Sequence, residues 1–255
     1  MQESHIEDTE LEAELNTEIL NRAEVIPPEL KKYWKSRYKL FNRFDDGIQL
    51  TYELWFSVTP EALAIYTAKF IKHCYPEAHT IVDLFCGGGG NTIQFLKQFD
   101  KVIGIDNQQM HLDCTLNNAL VYVDSQVLTD KLTLLNGNWG DDKDERLNVL
   151  NESGKIDIMF GSPPWGGPDY TSSEVYDVDW LAPLPLADLL KSMKKYSRNI
   201  VLFLPRNTNL KQIEKATKKV FGKESQVRIT RLYVGASLKG LLCFWGDEFW
   251  NYTRK

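Results

Sequence analysis

The sequence predicts an α/β fold with a doubly wound, mostly parallel sheet of seven strands and a small helical extension at the amino terminus. Two observations predict this fold. From Thr80 onward, short apolar runs alternate with segments whose apolar residues recur at helical spacing. A glycine-rich loop follows the first of these runs, and Asp106 ends the second. Because strands separated by helices pair in parallel, we expect a ligand outside the carboxyl ends of the strands.

Seven runs are predicted to be strands, and four longer segments between them are predicted to be helices. The strands cover residues 80–85, 101–105, 132–135, 156–160, 199–204, 226–234 and 238–245. The helices cover residues 91–99, 109–121, 186–196 and 210–221. The last two strands are separated by a short Gly-Ala-Ser turn and are expected to form a closing hairpin.

Residues 1–58 are predicted to form the helical extension, and residues 59–255 the core domain. Leucine and isoleucine at helical spacing among acidic residues predict a peripheral amphipathic helix over residues 7–24. A second helix is predicted over residues 28–41. Thr59, which precedes a proline, is expected to begin the next helix with its hydroxyl group as the cap.

The charge is unevenly distributed along the 255 residues. The net charge of −5, taken alone, argues against a nucleic-acid partner. Residues 1–24 carry eight of the acidic residues and one basic residue, whereas residues 31–43 carry six lysines and arginines interleaved with aromatic residues. Such a stretch could bind phosphates and bases, or it could be a helix with a solvated basic face. With 255 residues, 43% of them hydrophobic, the chain can form the buried core of one large domain.

The four cysteines are widely spaced and include no C-x-x-C pair. This pattern favours reduced thiols in a cytosolic or nuclear compartment and argues against a structural zinc site, so we expect no metal. No apolar run approaches the ~18 residues of a membrane span, and no signal peptide opens the chain. We therefore expect no membrane partner.

The glycine loop from Gly87 to Gly90 lies where the first strand turns into a helix. Glycines let the backbone approach a ligand closely. The spacing does not fit a G-x-G-x-x-G dinucleotide motif, and without a following lysine it does not fit a Walker A loop. Asp106 comes about 20 residues later, where a carboxylate can accept from both hydroxyls of a ribose. Asp83, just before the loop, suits an ammonium group. A ribose together with an amino acid indicates S-adenosylmethionine as the cofactor.

Asn138 follows the third predicted strand. Methyltransferases often place an acid or an amide there, against the amino group of adenine, and the side-chain oxygen of Asn138 can accept such a bond. A plain turn is an equally good interpretation of this residue type.

The segment Ser162-Pro163-Pro164-Trp165 follows the fourth predicted strand. Class I methyltransferases that act on exocyclic amines of bases carry an [Asn/Asp/Ser]-Pro-Pro-aromatic motif at this place. Such an amine is a poor nucleophile because its lone pair is delocalised into the ring. Ser162 and the carbonyl of Pro163 are expected to accept its hydrogens, and Trp165 to stack on the base, which contributes ~1–3 kcal/mol. A tryptophan face favours a cation, so a positively charged base is indicated. The alternative is a tight structural turn.

Four motifs resemble the trimethylguanosine synthase family of RNA cap guanine-N2 methyltransferases. They are residues 54–61 (Leu-Trp-Phe-Ser-Val-Thr-Pro-Glu), 82–95, 162–170 (Ser-Pro-Pro-Trp-Gly-Gly-Pro-Asp-Tyr) and 203–207 (Phe-Leu-Pro-Arg-Asn). The resemblance extends from about residue 32 to about residue 252 and leaves out the acidic residues 1–24.

The resemblance implies a class I, Rossmann-like fold and an enzyme that depends on S-adenosylmethionine. It implies two transfers to the exocyclic 2-amino group of 7-methylguanosine caps, which give 2,2,7-trimethylguanosine on small nuclear and small nucleolar RNAs. The 7-methyl group leaves the purine cationic, in agreement with the cation preference inferred for Trp165. It also acidifies the 2-amino group, so no strong dedicated base is needed. Ribonucleoprotein partners, a monomeric state and a nuclear, nucleolar location are expected on the same ground.

The resemblance also assigns site residues by position. The catalytic residues are expected to be Ser162, Pro163 and Trp165. The substrate-binding residues are expected to be Trp165, Tyr170, Arg206 and Asn207, with Arg206 at the cap phosphates. The cofactor-binding residues are expected to be Phe56, Thr59, Asp83, Gly87, Gly89, Asn91, Thr92, Asp106, Asn138 and Trp139. One departure is Gln49, where some family members carry a lysine near the phosphates, so phosphate binding is expected to rely more on Arg206 and on residues 31–43.

Two other functions are consistent with parts of this pattern. A methyltransferase for an internal base, at adenine N6 or guanine N2, usually has Asn or Asp where Ser162 stands and Tyr or Phe where Trp165 stands. A cofactor-binding scaffold without activity is the other, and the intact Asp83, Asp106, Ser162 and Trp165 argue against it.

Overall fold

A seven-stranded sheet forms the centre of the protein in a computed structural model that describes residues 18–141, 143–167 and 172–252. The strand order is β3-β2-β1-β4-β5-β7-β6. The strands are β1 Thr80–Leu84, β2 Lys101–Asp106, β3 Leu132–Asn136, β4 Ile158–Gly161, β5 Ile200–Pro205, β6 Arg228–Val234 and β7 Ser237–Trp245. All seven predicted strands are confirmed, and their ends differ from the prediction by two residues or fewer.

The strands β1 to β5 run parallel, and β7 lies antiparallel between β5 and β6. The carboxyl ends of β1 to β5 therefore meet along one side of the sheet, which we call the carboxyl edge. The tip of the β6–β7 hairpin lies at the same edge, because β7 starts there. The strands β1, β4 and β5 are buried along their whole length, as expected for parallel strands covered on both faces.

Helices surround the sheet, and the predicted helices over residues 91–99, 109–121, 186–196 and 210–221 are confirmed with shifted ends. In the described residues the α-helices are α1 Lys31–Trp34, α2 Arg37–Leu40, α3 Leu54–Ser57, α4 Glu61–Cys74, α5 Gly90–Leu96, α6 Gln109–Tyr122, α7 Ser125–Lys131, α8 Val149–Glu152, α9 Leu186–Lys194, α10 Leu210–Phe221 and α11 Asp247–Asn251.

The helix predicted over residues 28–41 is wrong as a single element. A 3-10 turn over Pro28–Leu30 leads into α1, and Ser36 leaves helical geometry with φ −107° and ψ 8° before α2 begins. The break lets residues on both sides of it, among them Leu30 and Leu40, enter the core. The amphipathic helix predicted over residues 7–24 lies mostly outside the described residues. Within them, the chain forms only a short 3-10 turn over Ala23–Val25 in that region.

Thr59 does not cap the helix that follows it. Pro60 occupies the N-cap position of α4, and no side chain caps the helix there. The hydroxyl oxygen of Thr59 instead accepts a hydrogen bond of 3.0 Å from Nδ2 of Asn91, which lies on α5. The predicted helix start is therefore one residue early, because Thr59 bonds across to the glycine-loop helix rather than along its own chain.

Two apolar clusters cover the two faces of the sheet. The first contains Phe95, Phe160 and Phe203, and it also contains Leu20 and Trp55 from the predicted extension. The second is built mainly on the face covered by α9 and α10. The described residues of the predicted extension 1–58 thus share one core with the sheet. The boundary at residue 58 stays a prediction.

The four cysteines are buried and free. Burial raises the pKa of each thiol, to about 11 for Cys74 and to about 12 for Cys114. Across the described ranges, none of the helices is long and apolar enough to cross a bilayer. Those same ranges contain no group of three or more His, Cys, Asp or Glu side chains placed to hold a metal ion.

Candidate active site

The predicted site residues converge because they follow neighbouring strands at the carboxyl edge. Asp83 lies on β1, Asp106 ends β2, and Asn138 follows β3. Ser162 directly follows β4, and Arg206 directly follows β5. The β-sheet alone therefore brings side chains from five separate parts of the sequence to one edge.

The glycine loop after β1 has an unusual backbone. Phe85 has a φ of 65°, Gly87 of 53° and Gly89 of 81°, so three residues within five lie in the left-handed region. A phenylalanine there is uncommon, and such strained residues cluster at functional sites. A Cβ at Gly89 would lie 3.2 Å from Cα of Thr115 on α6, so the loop packs against that helix without room for a side chain. The hydroxyl group of Thr115 donates to the carbonyl oxygen of Gly87.

Asp106 closes the loop onto the end of β2. Its Oδ2 accepts the backbone N–H of Gly87 at 3.0 Å, and its Oδ1 accepts the backbone N–H of Gln108 at 3.0 Å. The residue is 7% exposed. A carboxylate oxygen accepts more than one hydrogen bond, so an oriented Asp106 retains capacity for hydroxyl donors. This arrangement fits the ribose of a nucleoside.

Asp83 is a buried carboxyl group with an unsatisfied oxygen. Thr92 donates its hydroxyl hydrogen to Oδ2 at 2.5 Å, whereas Oδ1 is buried without a hydrogen-bond partner. The pKa of Asp83 is raised to about 7, mainly by burial and also by the charge of Asp106, against the lowering effect of the Thr92 bond. An unpaired buried acceptor is costly, and a cationic donor would offset that cost. The site therefore fits a cofactor that carries both a ribose and an ammonium group.

Residues 49–59 lie directly on the glycine loop. The buried Asn118 of α6 joins the two: its Nδ2 donates to the carbonyl oxygens of Gly88 and Gln49, both at 2.9 Å, and its Oδ1 accepts the backbone N–H of Gln49 at 2.7 Å. A Cβ at Gly90 would lie 3.2 Å from the carbonyl oxygen of Thr59. The absence of a side chain at Gly90 thus lets residues 49–59 pack directly on the glycine loop.

Two residues of this region were not predicted from the sequence, His111 and Glu53. Nδ1 of the buried His111 lies 3.2 Å from Oδ1 of Asp106, and its Nε2 lies 4.0 Å from Oε2 of Glu53. Gln108 donates from Nε2 to the same carboxylate of Glu53 at 3.1 Å. The sequence did offer a signal for His111. The predicted helix begins three residues after Asp106, and the first turn of such a helix lies beside the Asp106 carboxylate.

The Ser-Pro-Pro-Trp segment is tied to the strands on both sides of β4. The backbone N–H of Ser162 donates to the carbonyl oxygen of Leu84 on β1 at 3.2 Å, and Pro163 is buried. Nε1 of the half-buried Trp165 donates to the carbonyl oxygen of Phe203 on β5 at 3.3 Å. The rings of Trp165 and Phe203 meet edge to face, with their centroids 5.3 Å apart. The indole is therefore held in a fixed plane at the carboxyl edge.

Arg206 and Asn207 directly follow β5. Arg206 is exposed, and Asn207 forms hydrogen bonds with the segment that contains Ser173 and Tyr176. Nδ2 of Asn207 donates to the backbone carbonyl oxygen of Ser173 at 2.9 Å, and the backbone carbonyl oxygen of Asn207 accepts the backbone N–H of Tyr176 at 2.9 Å. Asn207 thus holds the chain that returns from the Trp165 segment against the end of β5. Tyr170 lies outside the described residues.

The other predicted residues lie at the site or beside it. Trp139 is 5% exposed, and its Nε1 donates to Oγ of Ser192 on α9 at 2.9 Å, so its side chain is part of the core. Asn138 is exposed, and its backbone N–H donates to Asp144 at 2.6 Å. Phe56 is half-buried, edge-on to Tyr33 and Tyr52.

The basic stretch over residues 31–43 is only partly available to a ligand. Arg37 lies over the rings of Trp34 and Tyr38 and 3.5 Å from Asp45, and Arg43 is paired with Asp46. Four lysines of the stretch are exposed, Lys31, Lys32, Lys35 and Lys39, and Lys32 lies over the ring of Tyr33. Of the basic residues in this stretch, the lysines therefore remain available for the expected phosphate contacts, whereas the two arginines are engaged by other side chains.

Comparison with known proteins identifies the family. Residues 78–248 match the RNA cap guanine-N2 methyltransferase family. The chain is 44% identical to trimethylguanosine synthase of Saccharomyces cerevisiae over 227 residues, which cover 88% of this chain and 69% of that one. It is 37% identical to trimethylguanosine synthase of Schizosaccharomyces pombe over 199 residues, 77% of this chain and 80% of that one.

A solved structure shows the same fold at low sequence identity. The chain superposes on a methyltransferase of Porphyromonas gingivalis W83 with a TM-score of 0.60 and 17% identity. The match covers 88% of this chain and 52% of that one, so this chain spans about half the length of that structure. With the strand order and the two curated relatives, this likeness shows the class I methyltransferase fold. The chain belongs to the RNA cap guanine-N2 methyltransferase family, whose members take the methyl group from S-adenosylmethionine.

Proposed function

We propose that this protein methylates the exocyclic 2-amino group of 7-methylguanosine caps twice in succession. The product is 2,2,7-trimethylguanosine on small nuclear and small nucleolar RNAs. The observation that carries the proposal is that Phe203 holds the indole ring of Trp165 in a fixed plane. Ser162 and Pro163, the two proposed hydrogen-bond acceptors, lie in the same short segment. A rigid tryptophan beside two hydrogen-bond acceptors suits a flat, cationic base that presents an amino group.

The cofactor supplies an electrophilic methyl group on a sulfonium. Asp106 and the glycine loop would hold its ribose, and the unpaired Oδ1 of Asp83 would accept from its ammonium group. Thr92 orients Asp83, and His111 orients Asp106. The segment that carries Phe56 and Thr59 would cover the cofactor, because it packs on the glycine loop through Asn118 and Gly90. In this proposal Asn138 and the backbone of Trp139 border the adenine.

The residues after β4 would act on the substrate by positioning it. Ser162 and the carbonyl of Pro163 accept the hydrogens of the 2-amino group, and Trp165 stacks on the cationic purine. Because the 7-methyl group acidifies that amine, the proposal needs no dedicated base, and the rate enhancement comes mainly from alignment of the amine with the methyl group. Arg206 takes the cap phosphates. Gln49 adds no charge there, and its backbone is engaged by Asn118.

The predicted extension 1–58 is, in this proposal, part of the active site rather than a separate module. Its described residues share a core with the sheet, and residues 49–58 reach the glycine loop. We further propose that the enzyme acts as a monomer in the nucleus, in nucleoli, on RNA that is already assembled with ribonucleoprotein partners.

The first experiment is methyl transfer from labelled S-adenosylmethionine to 7-methylguanosine triphosphate, with unmethylated GTP in parallel. We expect transfer of up to two methyl groups to the first substrate and none to the second, because Trp165 selects the cationic base. Equal transfer to both would contradict the cap assignment and favour a methyltransferase for an internal base. Cofactor binding without transfer to either nucleotide, or to a capped RNA, would favour a scaffold.

A further inference from the structure

The β6–β7 hairpin extends past the end of β5, beside the proposed phosphate site. Gly240 of β7 is paired with Pro205, the last residue of β5. Residues 237–239 of β7 therefore continue beyond β5 at the carboxyl edge, and the hairpin turn lies farther out still. Arg206 directly follows Pro205, so the hairpin tip is the next structure along the edge from Arg206.

The hairpin is basic within an acidic chain. Residues 225–246 contain Arg228, Arg231 and Lys239 and no aspartate or glutamate, whereas the whole chain has a net charge of −5. Arg228 is engaged, because its guanidinium group donates to two backbone carbonyl oxygens near the carboxyl terminus. Arg231 and Lys239 are exposed, and neither forms an ion pair with another residue of the described ranges.

A register shift in the hairpin places an extra residue at its tip. Leu232 is paired with Gly240, but Tyr233 is paired with Leu238, so Lys239 has no residue opposite it. Such bulges redirect a side chain and are common next to active sites. Tyr233, beside the bulge, is 52% exposed. An exposed aromatic ring on the same hairpin as two exposed basic side chains is a typical surface for single-stranded nucleic acid, where bases stack and phosphates pair with cations.

The distances across the sheet fit the start of an RNA chain. Arg231 is paired with Leu241, which is in turn paired with Leu204 on β5. Two strand spacings therefore separate the backbones of Arg231 and Leu204, about 10 Å in all. A chain that leaves the cap phosphates at Arg206 would meet the hairpin within its first nucleotides.

We propose that Arg231, Tyr233 and Lys239, the hairpin surface, bind the RNA that immediately follows the cap. The two basic side chains pair with backbone phosphates, and the ring of Tyr233 stacks on a base. This inference rests on the proposed function, because it takes the cap to lie between Trp165 and Arg206. It adds that the enzyme distinguishes a capped RNA from a free cap nucleotide by contacts with the chain, without regard to its sequence.

The test compares binding of a fluorescent ten-nucleotide RNA with a 7-methylguanosine cap and binding of 7-methylguanosine triphosphate, both to the full chain with S-adenosylhomocysteine. We expect Arg231→Ala/Lys239→Ala to weaken RNA binding about tenfold and to reduce the slope of log K against log salt by about 1.4, since each neutralised phosphate of a single strand contributes about 0.7. Tyr233→Ala should weaken RNA binding about fivefold or more. Binding of the triphosphate should not change.

The matched control is Lys219→Ala/Lys223→Ala, which removes two exposed charges at the end of α10 that is distant from Arg206. Equal RNA affinities for this control and the hairpin variant would overturn the inference. A loss of triphosphate binding as large as the loss of RNA binding in the hairpin variant would also overturn the inference, because the hairpin would then act only by supporting the cap pocket. Aggregation of the hairpin variant with unchanged RNA affinity would also overturn it, since the charges would then protect an edge strand. Failure of the proposed function is recognised separately, as absence of methyl transfer to the cap by the unmodified enzyme.

Discussion

The ring of Phe203 occupies the space that a side chain at Gly240 would need. A Cβ at Gly240 would lie 2.5 Å from Cε2 and 2.7 Å from Cζ of Phe203. Phe203 in turn contacts the ring of Trp165 and accepts its indole N–H. Gly240 thus helps to position Trp165, the residue proposed to stack on the base, although it lies on a different strand and outside the motif.

We expect Gly240→Ala to displace Phe203 and to raise the KM for 7-methylguanosine triphosphate more than the KM for the cofactor. Overpacking of this kind costs about 1–3 kcal/mol of the free energy of unfolding. Steady-state kinetics and denaturant unfolding measure the two effects. In Gly240→Ala/Phe203→Leu the clash with the ring is relieved, but the new Cβ still lies 2.8 Å from the carbonyl oxygen of Leu204, so stability should recover only in part while the KM for the cap stays raised. An unchanged KM for the cap in Gly240→Ala would show that Trp165 does not depend on Phe203.

Trp165→Ala should reduce methyl transfer at least 100-fold, because it removes both the stacking surface and the plane that aligns the amine. Cofactor affinity should stay within about twofold, since Asp83 and Asp106 are untouched. Stacking alone contributes ~1–3 kcal/mol, so part of the loss reflects misalignment. Trp250→Ala, at an exposed tryptophan on α11, is the matched control. A large loss of cofactor affinity in Trp165→Ala would remove Trp165 from the cap site.

Asp106→Ala should weaken cofactor binding about tenfold or more by calorimetry. It removes the proposed acceptor for the ribose hydroxyls and also the carboxylate that accepts the backbone N–H of Gly87 in the glycine loop. Asp113→Ala, an exposed acid on the neighbouring helix α6, controls for the change in charge. Unchanged affinity in Asp106→Ala would exclude this carboxylate from the cofactor site.

Cofactor affinity should rise with pH between about pH 5 and pH 7 and level off above. Burial raises the pKa of Asp83 to about 7, so the carboxyl group is mostly protonated at pH 6 and cannot attract an ammonium group fully. Binding should therefore release a proton from Asp83, which calorimetry in buffers of different ionisation enthalpy detects. Asp83→Asn should bind more weakly at pH 8, with a flatter pH dependence. Proton uptake on binding at pH 6, where the amino group of the cofactor is already protonated, would contradict an ammonium contact at Asp83.

The same carboxyl group should make the protein less stable as pH rises. The pKa of Asp83 is raised from its usual 3.8 to about 7, so the folded protein binds more protons than the unfolded chain between these values. Its contribution is fully present below about pH 4 and is lost as pH rises through 7, at roughly 1.4 kcal/mol per pH unit in between. Denaturant unfolding of the free protein, compared with Asp83→Asn, isolates this slope. An identical slope in both proteins would contradict it.

The strands and the glycine loop could be predicted because their signals are local. A buried parallel strand is a short apolar run, and a loop that must adopt positive φ contains glycine, so both can be recognised in a few adjacent residues. The convergence of Asp83, Asp106 and Ser162 followed from the rule that ligands lie at the carboxyl ends of parallel strands. The family resemblance then supplied the cap residues.

Contacts between distant parts of the chain could not be predicted in this way. Thr59 has the sequence signature of a helix cap, but its hydroxyl oxygen accepts a hydrogen bond from Asn91, 32 residues away. Arg37 belongs to a basic run, yet aromatic neighbours and Asp45 engage it. Whether the side chain of Trp139 faces a ligand or the core depends on α9, which lies far along the sequence.

The four buried cysteines make the protein well suited to site-directed labelling. Because burial keeps their pKa values far above neutrality, almost no thiolate forms at pH 7, and maleimide or iodoacetamide reagents should leave the folded protein unmodified. A cysteine introduced at the exposed Ser237 would then be the one reactive thiol of the chain. A fluorophore attached there would report the arrival of RNA at the hairpin without removal of any native cysteine.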